Sequence, residues 1–182
     1  MNYGKCQLNK HIFIDKNKKI VYTNFIIGGI IMKIMFICTG NICRSAMAEG
    51  MLKKIASDKK LNIEVYSCGI YAEDGDYATY NAIEAAKYYD VDISKHRATN
   101  IKNSKIQEMD VILCATTSHK NMVKTMYPDL VNKVYTMKEY AKIDKNGQDM
   151  DIKDPWGYDI DVYKRCIQEI NICLEKMINK LI

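Results

Sequence analysis

Residues 33–45 read KIMFICTGNICRS, and the two halves of this segment differ in character. Residues 33–37 form a short run rich in Ile and Phe, which predicts a buried β-strand. The polar stretch that follows contains Gly40, which permits a sharp turn. Ser45 is a preferred N-cap residue and predicts a helix that runs to about Asp58. The segment therefore predicts a strand, a tight loop and a helix in succession.

The rest of the chain alternates apolar runs with helical patterns. Strands that read as continuous apolar runs and alternate with helices are typical of a parallel sheet covered on both faces. We expect an α/β three-layer sandwich, with a small parallel sheet of about four strands flanked by helices and a phosphate-binding loop after the first strand. The further strands are predicted at 63–66, 111–115 and 133–135, the helices at 79–89, 103–109, 118–127 and from 160 onward, and a polar loop at 144–157.

The charge of the chain is concentrated near its N-terminus. The 182 residues include 27 basic and 22 acidic side chains, a net charge of +5. Residues 1–31 contribute five lysines and one aspartate, which leaves 22 basic and 21 acidic residues in the remainder. The remainder is nearly neutral and has no basic stripe with interleaved aromatics, so we expect no nucleic-acid partner.

The cysteines and histidines point to a reduced protein without a metal. Seven cysteines at irregular spacing do not form the even set of a secreted disulfide framework. No C-x-x-C motif occurs, and the three histidines have no metal-ligand spacing. We expect reduced cysteines, a cytoplasmic location and no metal site. His96 and His119 are expected to be hydrogen-bonded structural residues.

The apolar stretch at residues 25–32 (FIIGGIIM) follows lysine-rich sequence and superficially resembles a signal peptide. Lys33 interrupts it, and no small-residue cleavage site follows. It is far shorter than the roughly 20 residues that span a bilayer. We expect residues 1–31 to be an extension outside the fold, residues 32–182 to be the domain, and no membrane association. The alternative is that the extension is a weak membrane or partner anchor.

Residues 38–45 combine a cysteine and an arginine in a C-x5-R pattern between the predicted strand and helix. A loop that wraps into a helix N-terminus directs several backbone N–H groups at one centre and forms an anion site. Arg44 can add two parallel hydrogen bonds to phosphate oxygens. The same positive field favours the thiolate form of Cys38, a good nucleophile at phosphorus.

Three further residues have candidate roles in this chemistry. Asp154, in the sequence Asp-Pro-Trp, is the best candidate for the proton donor to the leaving group, although it also fits an ordinary Asp-Pro turn. Ser45 can hydrogen-bond the thiolate as well as cap the helix. Cys43 is either a small buried residue or a partner that traps oxidised Cys38 as a disulfide.

Taken together, several segments resemble the low-molecular-weight protein tyrosine phosphatase family over residues 32–182. The resemblance implies that Cys38 is the nucleophile, Arg44 the phosphate clamp and Ser45 the thiolate partner. It also implies that Asn41 shapes the loop, that Asp154 is the acid and base, and that no metal or organic cofactor is needed. The segments are CTGNICRS, AMAEGML, DVILCATTSHK, VYTMKEY and DPWGYDIDVY.

Within the family, the chain is similar to the bacterial protein arginine phosphatase branch, because Thr39 follows the nucleophile. The resemblance implies hydrolysis of phosphorylated protein side chains, above all phosphoarginine, through a phosphocysteine intermediate. Thr39 offers a hydroxyl and leaves room for a guanidinium, and Asp154 would protonate the leaving nitrogen. Trp156 either stacks against the substrate or anchors its loop. The loop residues Thr39, Gly40, Asn41, Ile42, Cys43 and Ser45 are expected to bind the substrate.

The alternatives are a protein tyrosine phosphatase with the same residues, an arsenate reductase and a phosphate-binding module without activity. An arsenate reductase needs further cysteines that resolve an arsenylated nucleophile, and Cys68 and Cys114 are single. Ala46 departs from the family, in which proline is common after the Arg-Ser pair. We expect phosphorylated proteins as substrates and a monomeric enzyme.

Overall fold

The computed structural model describes residues 31–143 and 149–179 in full and residues 12–14 and 20–22 through their backbone. Ile12–Ile14 (β1) and Ile20–Tyr22 (β2) pair as an antiparallel ribbon that is separate from the main sheet. The sequence did not predict this ribbon. The apolar stretch up to residue 30 and part of the predicted polar loop, residues 144–148, lie outside the described residues. The proposed domain start at Met32 therefore stays a prediction.

The main sheet has four strands, all parallel, in the order β4-β3-β5-β6. This confirms the predicted small parallel sheet. The apolar run predicted at residues 33–37 becomes an inner strand, β3, whose last five residues are buried. The strands are Met32–Cys38 (β3), Ile63–Gly69 (β4), Val111–Cys114 (β5) and Val134–Thr136 (β6).

Five α-helices accompany the strands, and within the described residues none is long and apolar enough to cross a membrane. The helix predicted at 103–109 is instead two 3-10 turns, Ile101–Asn103 and Ile106–Glu108, because Ser104 has extended backbone between them. A further 3-10 segment spans Pro128–Lys133. The α-helices are Arg44–Asp58 (α1), Tyr80–Lys87 (α2), Thr117–Met126 (α3), Met137–Tyr140 (α4) and Ile160–Ile178 (α5).

Alternate side chains of β3 enter two different cores, since successive residues of a strand point to opposite faces. Ile34 and Phe36 pack with buried residues of α1, α2 and α5. Met35 and Ile37 pack on the other face, with apolar residues of the 3-10 turns and Val123 of α3. The sheet is therefore the middle of three layers, as predicted.

The chain leaves β3 at Cys38, beside the point where the strand order reverses. From β3 the chain passes through α1 to β4 on one side, and β5 lies on the other side. In open parallel sheets, ligands bind at such a switch point, outside the carboxyl ends of the strands. The fold thus places the loop after β3 where a ligand site is expected.

Candidate active site

The loop after β3 turns several carbonyl groups away from its centre. In a trans peptide the C=O and the following N–H point in opposite directions, so the N–H groups of the same peptides face inward. Inward N–H groups of this kind can form an anion cradle, which is the role that the sequence analysis expects of this loop. The outward carbonyls are those of Cys38, Thr39 and Ile42, which accept from the backbone N–H groups of Ile70, Tyr71 and Thr79 at 3.0, 2.9 and 3.0 Å.

The left-handed residue of the loop is Asn41, with φ of 55°, and not Gly40. The expectation that Gly40 provides the sharp turn is therefore wrong. A Cβ on Gly40 would meet only the Ile42 side chain, at an ordinary 3.6 Å. Asparagine tolerates this conformation better than most residues, and here it is fully buried and held. Its Oδ1 accepts from Thr99 N at 2.8 Å, and its carbonyl accepts from His96 Nε2 at 2.7 Å.

Gly69, the last residue of β4, lets the backbone of the loop approach closely. A Cβ built on Gly69 would lie 2.6 Å from the carbonyl oxygen of Thr39 and 2.8 Å from the backbone nitrogen of Asn41. Both neighbours are backbone atoms of the loop and cannot rotate away. Any side chain at this position must displace the anion cradle.

We expect Gly69→Ala to lower the free energy of unfolding by about 1–3 kcal/mol, because it overpacks a site with no flexible neighbour. The displaced loop should also weaken the inhibition of turnover by inorganic phosphate. Gly40→Ala is the matched control for stability alone, because its Cβ has room but Gly40 itself lines the cleft. Urea unfolding of both variants checks this, and equal stabilities for the two would contradict it.

A hydrogen-bond chain leads to the Cys38 sulfur. Asn41 Nδ2 donates to Ser45 Oγ at 2.8 Å and to Ser67 Oγ at 2.7 Å. Because Ser45 Oγ accepts this bond, its own hydrogen is available to Cys38 Sγ, 3.0 Å away. Ser67 donates in turn to Glu49. The chain therefore ends in a hydroxyl hydrogen that can be donated to the sulfur of Cys38.

Ser45 does not cap helix α1, so that expectation is wrong. The N-cap residue is Cys43, which has no side-chain capping bond, and Ser45 lies in the first turn. The Cys43 side chain accepts from none of the N–H groups of this first turn. The hydroxyl of Ser45 serves the sulfur of Cys38 instead.

Arg44 is 3% exposed, and among the described residues one of its three nitrogen atoms has no partner. Its NH1 donates to the Ile152 carbonyl at 3.2 Å, and its NH2 donates to Asp154 Oδ2 at 2.5 Å. Its Nε–H is buried and has no hydrogen-bond partner among the described residues. A buried donor of this kind is costly unless an acceptor meets it. A phosphate oxygen in the cradle would supply that acceptor.

The segment that carries Asp154 is fixed to the sheet and to α4. Ile152 N donates to the Ala115 carbonyl at 2.8 Å, at the end of β5. The buried ammonium of Lys138 donates to the carbonyls of Asp149 and Asp151, each at 2.8 Å. The segment is thus anchored, while the side chain of Asp154 itself is 49% exposed at the cleft.

The loop opens into a cleft of about 360 Å³ that brings together Cys38, Arg44 and Asp154. Trp156 lines it and is 65% exposed, so it forms a wall of the cleft and is not a buried anchor. The cleft also contains three residues that the sequence analysis missed. They follow the carboxyl end of β4, a position that could have indicated them. They are Tyr71, Glu73 and Asp76.

The remaining cysteines of the described part of the chain are buried and held as thiols. Burial raises the pKa of Cys43, whose sulfur lies 3.4 Å from both Thr79 Oγ1 and Tyr163 Oη. Burial also raises the pKa of Cys68 to about 12 and raises that of Cys114 further. Cys68 and Cys114 lie in the two strands that flank β3. Neither is poised as a resolving thiolate, which disfavours arsenate reduction.

His119 was not among the predicted site residues, but the structure places it against the loop. Its Nε2 lies 3.0 Å from Thr39 Oγ1, and this Thr39 oxygen also accepts from Arg44 NH2 at 3.2 Å. The Thr39 hydroxyl is therefore bound to the clamp and to His119. Among the described residues no group of His, Cys, Asp and Glu has the arrangement of a metal site.

Comparison with known proteins places this site in a family. The family model of low molecular weight phosphotyrosine protein phosphatases matches residues 33–182. A protein-arginine-phosphatase from Bacillus subtilis is 36% identical over 155 residues, which cover 82% of this chain and 97% of the relative. The low molecular weight protein-tyrosine-phosphatase PtpB of Staphylococcus epidermidis is 31% identical over 147 residues, which cover 80% of this chain and 96% of the relative.

A solved structure agrees with these relatives. It is a Cys-to-Ser mutant of the YwlE arginine phosphatase with a phosphorylated active-site serine. It superposes with a TM-score of 0.76 at 33% identity and covers 82% of this chain and 95% of that chain.

Proposed function

Since the chain belongs to the low molecular weight phosphotyrosine protein phosphatase family and is a protein phosphatase, we propose that it hydrolyses protein phosphoarginine through a phosphocysteine intermediate on Cys38. The inward N–H groups of the loop and the free Nε–H of Arg44 bind the phosphoryl oxygens. The sulfur of Cys38 attacks phosphorus, so that an S–P bond forms as the P–N bond breaks. Asp154 gives its proton to the leaving nitrogen.

In the second step Asp154 acts as base and removes a proton from water, which attacks the phosphocysteine. The S–P bond breaks, and the electron pair returns to the sulfur of Cys38. The Ser45 hydroxyl, 3.0 Å from that sulfur, stabilises the thiolate as it leaves. The phosphorylated active-site serine of the similar YwlE mutant supports transfer of the phosphoryl group to the nucleophile position.

The carboxylates of the cleft favour phosphoarginine as the substrate. Asp154, Glu73 and Asp76 line one cleft beside the cradle. A guanidinium attached to phosphorus is a cationic group with several N–H donors, and carboxylates attract and accept from it. A phenyl phosphate brings only negative charge to the same surface. The named activity of the Bacillus subtilis relative supports the same substrate.

Phosphotyrosine is the second candidate, because the cleft also has an apolar side. Ile42, Tyr71 and Trp156 line it, and their surfaces suit an aromatic ring. Ile42 offers no hydrogen bond to a guanidinium. Ile42→Thr adds a hydroxyl and removes apolar contact, so it should shift the preference toward phosphoarginine.

The test compares kcat/KM for one protein substrate carrying phosphoarginine and for one carrying phosphotyrosine, with Cys38→Ser as the inactive control. We expect the larger value for phosphoarginine. A larger value for phosphotyrosine would overturn the choice of substrate and favour the second candidate. The family chemistry would be unaffected by that result.

We also propose that the enzyme works as a monomer in the cytoplasm, on phosphorylated proteins.

The resting site has an ion pair that the substrate must break. Asp154 Oδ2 accepts from Arg44 NH2 at 2.5 Å. This nitrogen is, beside Nε, the second donor of Arg44 that a phosphoryl oxygen would use. We therefore expect Asp154→Asn to lower kcat by about 100-fold through loss of the proton donor. The same change should tighten the inhibition by inorganic phosphate, because the competing carboxylate is gone.

Asp161→Asn is the matched control for this prediction, since Asp161 is an exposed carboxylate on α5 outside the cleft. It should leave both constants near those of the parent enzyme. Steady-state kinetics with phosphate as inhibitor measures them. A loss of kcat with weakened phosphate inhibition in Asp154→Asn would contradict the idea that Asp154 competes for the clamp.

A further inference from the structure

His119 is buried against the loop, although no step of the proposed reaction uses it. It lies in the first turn of α3, just beyond the carboxyl end of β5, and is 8% exposed. Eighty positions separate it from Thr39 along the chain, yet its Nε2 is 3.0 Å from Thr39 Oγ1. The Thr39 oxygen in turn accepts from Arg44 NH2 at 3.2 Å. His119 thus contacts the phosphate clamp through a single hydroxyl.

The contact between Nδ1 of His119 and Thr116 indicates which of the two ring nitrogens carries the proton. Thr116, the N-cap of α3, accepts from the backbone N–H of His119 at 3.1 Å, and the same hydroxyl oxygen lies 2.7 Å from Nδ1. The 2.7 Å contact at Nδ1 has the length typical of a hydroxyl donor, and the 3.0 Å contact between Nε2 and Thr39 Oγ1 has that of an N–H donor. These lengths favour a Thr116 hydroxyl that donates to Nδ1. Nδ1 then carries no proton, and Nε2–H is the donor toward Thr39.

We infer that neutral His119 is a positioning residue, which holds the Thr39 oxygen as a double acceptor and so directs the Thr39 hydroxyl hydrogen into the cleft. Thr39 Oγ1 accepts from Nε2–H of His119 and from Arg44. Its own hydrogen is then free, and Thr39 lines the cleft beside Cys38. An oxygen of a phosphoryl group bound in the cradle would be the acceptor for this hydrogen. Thr39 becomes a phosphate donor, and Arg44 is fixed by the same oxygen.

The electrostatic surroundings keep the ring neutral. Burial and the neighbouring Arg44 guanidinium lower the pKa of His119 to about 4, against the weaker opposing effects of Asp154 and Asp151. The imidazole therefore stays uncharged through the neutral pH range. A chain of hydrogen bonds of this kind also polarises each member, which strengthens the last donor.

This inference concerns the binding of the phosphoryl group and does not depend on phosphoarginine as the substrate. Inorganic phosphate and a small aryl phosphate are therefore suitable probes. A preference for phosphotyrosine in the substrate comparison would leave the role of His119 intact.

The tautomer is measured directly by long-range ¹H–¹⁵N correlation of the histidine side chains in the intact protein. The chain has three histidines, and the spectrum of His119→Gln identifies the signal of His119. We expect the neutral form protonated at Nε2. A ring protonated at Nδ1, or a charged ring at neutral pH, would overturn the inference.

Matched variants test the functional consequence. His119→Phe removes the donor but keeps a ring, and it should raise the inhibition constant of inorganic phosphate about tenfold. Thr39→Val should have a similar effect, and the double variant should be no worse than either single one. His119→Gln keeps an N–H near the Nε2 position and should recover most of the loss, as should Thr39→Ser.

Thermal unfolding establishes that each variant is folded before inhibition is compared. Folded His119→Phe with an unchanged phosphate constant would overturn the inference, as would additive effects of the two sites. If His119→Phe does not fold, Thr39→Val against Thr39→Ser and the tautomer measurement decide. Equal phosphate constants for those two Thr39 variants would also overturn it.

Discussion

Cys38→Ser should lower kcat/KM by a factor of about 10⁵ or more, because removal of a covalent nucleophile eliminates the reaction path that the site supports. Cys38 ends β3 inside the anion cradle and receives the Ser45 hydroxyl at 3.0 Å. A serine hydroxyl ionises far less readily than a thiol and is a weak nucleophile, and Asp154 is needed as the proton donor of the first step. Steady-state assays with a phosphorylated protein measure the loss.

Cys173→Ser is the matched control, since Cys173 lies in the core on α5 and burial raises its pKa to about 12. It should retain most of the turnover. Iodoacetate near neutral pH should label Cys38 before the other five described cysteines, whose pKa values are all raised. Phosphate should protect Cys38. Turnover by Cys38→Ser within tenfold of the parent would contradict the assignment.

Arg44→Lys should lower kcat/KM by about 10³-fold although it keeps the positive charge. Arg44 is buried, and its Nε–H has no hydrogen-bond partner within the described part of the chain. Lysine cannot offer two parallel donors to a phosphoryl group, and loss of one such donor alone costs about 10²–10³ in rate. The loss should appear in kcat and in phosphate inhibition together.

Arg97→Lys is the matched control for the clamp. Arg97 is exposed and lies 3.5 Å from the centre of the Tyr77 ring, outside the cleft. It should change kcat/KM by less than threefold, as expected for a surface substitution. Equal losses for Arg44→Lys and Arg97→Lys would contradict a specific role of the Arg44 guanidinium as the phosphate clamp.

The loop could be predicted from the sequence because its determinants are local. A buried strand, a cysteine, an arginine five residues on and a following helix lie within one short segment. The parallel sheet also followed from the alternation of apolar runs and helices, and the structure confirms it. The limits of prediction from the sequence appear within the same loop, where Asn41 and not Gly40 has the left-handed backbone.

The groups that orient the loop could not be predicted, because tertiary contacts bring them together. His119 reaches Thr39 from 80 positions away, and Ser67 reaches Asn41 from 26 positions away. No spacing in the sequence encodes either contact. The role of Ser45 was ambiguous because a helix cap and a thiolate partner need the same residue type. Only the 3.0 Å contact with Cys38 separates them.

The most direct test of the account is rapid-quench mass spectrometry of the enzyme during turnover of a phosphoarginine-containing protein. We expect one phosphoryl group on the peptide that contains Cys38, formed before inorganic phosphate is released and absent in Cys38→Ala, which has no side-chain atom that could hold it. Release of phosphate without any phosphorylated enzyme, or a phosphoryl group on a different residue, would contradict the account.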